Sequence, residues 1–137
     1  MRCMELEHFE ELVRRAVATL PDDIANRMDN VDIEVQDVAS DQQLASLGVP
    51  QGHTLLGLYQ GVPLTRRTSG YALVPPDRIT IFQRPLEAIA RDDDDLVDRV
   101  RDTVVHEIAH HFGISDPRLR EIEAERRRNR TGAKREE

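Results

Sequence analysis

Residues 92–116, DDDDLVDRVRDTVVHEIAHHFGISD, decide the reading of this chain. Four leading aspartates suit a helix N-terminus, where free N–H groups and the helix dipole favour negative charge. Behind them Leu96, Val97, Val100, Val104, Val105, Ile108 and Phe112 recur at helical spacing. Gly113 then supplies a stop, as a residue free to take positive φ. The pattern predicts one long amphipathic helix that ends just before Gly113.

That helix carries His106-Glu107-Ile108-Ala109-His110, an H-E-x-x-H motif. At about 100° per residue, His106 and His110 lie about 40° apart, one turn from each other on one face. Two imidazoles so placed can converge on one ion at about 2.0–2.1 Å, as tetrahedral zinc requires. Val97, Val100, Val104 and Ile108 cluster on the opposite side, so the histidines face a cleft. Glu107 projects beside such an ion without ligating it, suited to take a proton from water. Reading on, the full pattern is H-E-x-x-H-x-x-G-x-x-D. Gly113 lets the chain turn off the helix end, and Asp116 is placed to give a carboxylate oxygen as third ligand. Three protein ligands leave the fourth position of a zinc ion open for water. A chance H-E-x-x-H arises in roughly one or two such chains per hundred, and adding Gly and Asp lowers that about two hundredfold.

Outward from the motif, the other elements are short. Phe9, Leu12, Val13, Ala16, Val17 and Leu20 predict an N-terminal amphipathic helix, and Pro21 either ends it or starts a short one through Asp22-Asp23-Ile24. Val31, Ile33 and Val35 alternate with polar residues, as a half-buried strand does. A short helix is expected around Gln42–Leu47, closed by Gly48. Strands are expected over Leu55–Tyr59 and Arg78–Gln83, and a short helix from Pro85 through Ile89. Strands and helices mix without regular alternation, which makes the fold class α+β. The expected division is one domain over 1–120 and a charged C-terminal helix or tail over 121–137.

The 137 residues carry a formal charge of −7, one cysteine (Cys3) and no tryptophan. A single cysteine excludes an internal disulfide and a cysteine-based zinc cage. The acidic balance tells against a nucleic-acid partner, since phosphate contacts need clustered cations. The charge is uneven, however: residues 117–137 hold eight Arg and Lys against five Glu, a net +3. No run of about 18 apolar residues exists to span a membrane, and the N-terminus lacks an apolar signal stretch. A cytoplasmic location is the expectation.

The sequence resembles the minimal zincin-like metallopeptidases of bacteria. The resemblance is carried by His106–Asp116, by Leu55-Leu56-Gly57-Leu58-Tyr59-Gln60-Gly61-Val62-Pro63-Leu64 and by Asp77-Arg78-Ile79-Thr80-Ile81-Phe82. It implies a small zincin-like domain, a short mixed sheet packed on helices. It also implies Zn2+ on His106, His110 and Asp116, Glu107 as the catalytic acid/base, and a peptide or protein as substrate. Metzincins have a third His where Asp116 stands, and a methionine turn beyond it. Here the methionines are Met1, Met4 and Met28, all upstream. With 21 residues after Asp116, the cleft should be shallow and the substrate groove an exposed strand edge.

Other residues admit two readings. His111 points away from His106 and reads as a packed or cleft-wall histidine. Asp102, one turn before His106, is either a partner for its second ring nitrogen or an exposed charge. Tyr59, Tyr71, Arg66, Arg67 and Arg78 are candidate donors to an oxyanion. Two other functions compete with peptide hydrolysis: a metal-dependent endoribonuclease, and a catalytically silent metal-containing module that binds peptides. Glu107 and Asp116 tell against the first, and the lack of an evident fourth ligand against the second.

Overall fold

A computed structural model describes residues 5–50, 52–61 and 76–125. Helix α1 (Leu6–Ala18) buries Phe9, Leu12, Val13 and Ala16. This is the i, i+3, i+4, i+7 stripe expected from the sequence. Helix α2 (Asp22–Arg27) follows directly and buries Ile24. Strand β1 (Val31–Gln36) leads to α3 (Asp41–Ser46), which opens on a capping box. There Ser40 Oγ accepts from the Gln43 N–H at 3.1 Å, and Gln43 Oε1 accepts from the Ser40 N–H at 2.8 Å.

Strands β2 (Gly57–Gln60) and β3 (Asp77–Phe82) complete a sheet of order β1-β3-β2. Strand β1 runs parallel to β3, with Ile33 opposite Ile79; β2 runs antiparallel, with Tyr59 opposite Ile79. The sheet is therefore mixed, as expected. Helix α4 (Gln83–Ile89) begins two residues before the expected Pro85. Pro85 still lies in the first turn, where its missing N–H costs no intrahelical bond.

Helix α5 (Asp93–Phe112) is the long helix read from the sequence. Asp92 caps it by accepting from the Asp95 N–H at 2.7 Å. The Asp95 carboxylate in turn accepts from the Arg91 N–H at 2.9 Å and from Arg99 Nε at 3.0 Å. At the far end Gly113 takes φ 67°, and the Ile114 N–H reaches back to the Ala109 carbonyl at 3.0 Å. That six-to-one bond is how a left-handed residue closes a helix. Residues 116–125 then form a further helix, α6.

The core lies between α1, α5 and the inner face of the sheet. Phe9, Leu12, Ile24, Ile79, Ile81, Leu96, Val100, Val104 and Ile108 are fully buried there or nearly so. Each such side chain contributes about 1.5–3 kcal/mol of burial. Ile122 of α6, 2% exposed, belongs to the same cluster. Helix α6 is thus packed onto the domain. Among the described residues, no helix is long and apolar enough to cross a membrane.

Candidate metal centre

Burial of Val104, Val105, Ile108 and Ala109 turns His106 and His110 outward. Both rings are exposed, one turn apart, as the motif demands. With Glu107 and Asp116 they line an open cleft of about 560 Å³, whose apolar floor includes Ala109, Ile114 and Leu119. His110 and His111 also occupy the last turn of α5, where the helix dipole favours positive charge.

Glu107 sits differently. Its Oε1 accepts a hydrogen bond from the backbone N–H of Tyr59 at 2.9 Å. Just before β2, Leu56 accepts from Phe82 of β3, and Leu58 and Gln60 of β2 follow in the same alternation. The Tyr59 N–H therefore points away from β3, to the outer edge of the sheet. Burial pushes the Glu107 carboxyl above its ordinary value; the Tyr59 N–H, His110 and His106 oppose that shift without cancelling it. A half-buried carboxyl with a raised pKa is a better proton acceptor than an exposed one.

The closeness of β2 to α5 depends on Gly57. A Cβ at this position would lie 2.5 Å from Thr103 Cγ2. The absent side chain lets the strand lie against the helix one turn before His106–Glu107. Two residues on, the Tyr59 ring stacks on His111 at 3.9 Å between centroids, and its hydroxyl donates to Asp77 Oδ2 at 2.5 Å. Phe112 meets both rings edge-on and lies under the Arg27 guanidinium at 5.3 Å.

Helix α6 brings one carboxylate to the cleft and a second to His106. Asp116, at its start, is exposed and forms part of the cleft wall. Two turns later, Glu123 Oε1 lies 3.3 Å from His106 Nε2. Arg118 fixes the helix to α2 through paired 2.8 Å bonds to the Asp23 carboxylate. Among the described residues, no three His, Cys, Asp or Glu side chains are gathered closely enough to hold an ion as they stand. His106, His110 and Asp116 nevertheless line the same cleft. Two imidazoles with carboxylates alongside are a donor set that suits zinc.

The remaining expected residues divide. His111 is exposed and stacks on Tyr59, and it is not one of the residues that line the cleft. The partner of His106 Nε2 is Glu123, a residue the sequence reading did not single out. The Tyr59 hydroxyl is already committed to Asp77, and Arg78 pairs with Glu34 at 3.4 Å. Arg78 lies on the sheet face opposite Tyr59, since successive residues alternate. Tyr71, Arg66 and Arg67 lie outside the described residues. Glu123 had one signal in the sequence: its seven-residue spacing from Asp116 puts the two about 20° apart on a helix. Gly57 was also missed, because its role depends on a contact with Thr103, far along the chain.

The sequence profile of the zincin-like metallopeptidases matches residues 28–126, most of the chain and all of the cleft. The chain belongs to this zincin-like metallopeptidase family. Among solved structures it is similar to a conserved hypothetical protein from Thermo thermophilus, at 22% identity and a TM-score of 0.51. The match covers 80% of this chain and 94% of that one, and it speaks to the fold alone. No curated protein matches.

Proposed function

We propose that this protein is a zinc-dependent metallopeptidase whose ion is held by His106, His110 and Asp116. The observation that carries the reading is the Glu107 carboxylate, half-buried beside the two exposed histidines and clamped by the Tyr59 N–H. A bound zinc would polarise a carbonyl and bring the pKa of a water towards about 7. Glu107 takes the proton of the attacking water and passes it to the leaving amine. Its hydrogen bond to β2 fixes one of its oxygens. The outer edge of β2 runs past this carboxylate, so an extended peptide laid along that edge would bring its backbone to Glu107. Helix α6 forms the opposite wall.

Glu107→Gln tests the assignment. The amide keeps size and shape but cannot accept the proton. It should retain the zinc stoichiometry of the parent and lose peptide cleavage by about 10²-fold or more. Undiminished cleavage by this variant would remove Glu107 from the mechanism.

A further inference from the structure

Glu123 occupies a place that neither the motif nor the family match assigns. Its Oε1 stands 3.3 Å from His106 Nε2. That is long for an N–H···O hydrogen bond, whose usual range is about 2.7–3.2 Å. It matches the separation of two ligands on one tetrahedral zinc: bonds of about 2.0–2.2 Å put them roughly 3.4 Å apart. The chain delivers this carboxylate by a specific route. Gly113 reverses the chain, Ile122 anchors α6 in the core, and Arg118 ties it to Asp23. Of the other glutamates on α6, Glu121 and Glu125 turn to Arg118, at 3.2 and 3.9 Å. Glu123 turns the other way, to the histidine. Glutamate side chains on a helix also lean towards its N-terminus, here towards Asp116 and the cleft.

We propose that Glu123 is a protein ligand of the ion held by His106 and His110, so that α6 supplies carboxylates from both Asp116 and Glu123. An ion on Nε2 takes the lone pair of that nitrogen. Glu123 therefore cannot remain there as a hydrogen-bond partner: it binds the ion or withdraws. With Asp116 the protein ligands of a resting site would number four, so one carboxylate would have to leave the ion before the attacking water could take its place. The inference rests on the zinc metallopeptidase reading given above.

The test is zinc affinity, measured by competition with a chelating dye on the full chain, together with the cobalt(II) absorption spectrum. Glu123→Gln and Glu123→Ala should each weaken zinc binding about 100-fold and alter the cobalt d–d bands. Glu121→Gln removes the same charge from the same helix and should change affinity less than about threefold. Unchanged or tighter zinc binding in the Glu123 variants overturns the inference and leaves the peptidase reading intact, as does an equal loss in Glu121→Gln. A parent protein that binds no zinc overturns both. Thermal melts of the metal-free variants show whether each is folded; Glu123 is 40% exposed, and the Gln form keeps its volume.

Discussion

The backbone N–H of Tyr59 donates to Oε1 of Glu107 at 2.9 Å, joining the outer edge of the sheet to the helix of the H-E-x-x-H motif. The two residues are 48 positions apart in the chain. A carboxylate held this way has one oxygen fixed by the sheet while its residue lines the cleft.

Gly57→Ala should break that link indirectly. The new methyl would stand 2.5 Å from Thr103 Cγ2, so β2 or the Thr103 side chain must shift, and the Thr103 hydroxyl bond to the Arg99 carbonyl resists the second. Turnover should fall by about 100-fold, as for a misplacement near 1 Å, with zinc content unchanged. Thr103→Ser removes the opposing methyl and keeps the hydroxyl that donates to the Arg99 carbonyl. The double variant should recover most of the lost activity, and a double-mutant cycle on turnover reads the coupling.

Asp77→Ala should act on the same strand through Tyr59. It leaves the tyrosine hydroxyl without its carboxylate acceptor, at a cost of about 1–3 kcal/mol. Thermal denaturation should show the loss directly. Tyr59→Phe removes the same hydrogen bond, now from the side of the buried Asp77 carboxylate, and should cost a comparable amount.

Asp95→Ala should destabilise the start of α5. This side chain is 5% exposed, and burial works to raise its pKa. The Arg91 N–H and the Arg99 guanidinium outweigh burial and hold it below the ordinary value. The variant orphans the Arg91 N–H and should cost about 2 kcal/mol, read as a fall in Tm of about 6 °C.

The Asp23–Arg118 pair should make a small, pH-dependent contribution. Hydrogen bonding to Arg118 holds the Asp23 carboxyl below its ordinary 3.8. A group depressed in the folded state stabilises above its unfolded pKa and loses that effect as pH falls through the lower folded value. Asp23→Asn should therefore lower Tm more at about pH 7 than at acid pH, where Asp23 is increasingly protonated in both states. The pair is partly exposed, so the effect should stay under about 1 kcal/mol.

The candidate metal ligands and the long helix were legible because their chemistry is local. Asp92, the apolar stripe, Gly113 and the two histidines act within a few turns of one another, and α5 follows them closely. The capping box at Ser40 and Gln43 is equally local, and it sharpened the edges of a helix already expected near Gln42. Gly57 and Tyr59 were read chiefly as strand residues, because their roles arise when β2 packs on α5. Glu123 looked like one charge among many in a charged segment. Its direction depends on Ile122 facing the core and Arg118 facing Asp23, which only the folded chain specifies.

Zinc content of protein purified without added metal, counted by mass spectrometry beside the double variant His106→Ala/His110→Ala, tests the central claim most directly. The account predicts about one zinc per chain in the parent and none in the variant. A parent that stays metal-free when zinc is offered, or a variant that binds as much as the parent, would contradict it.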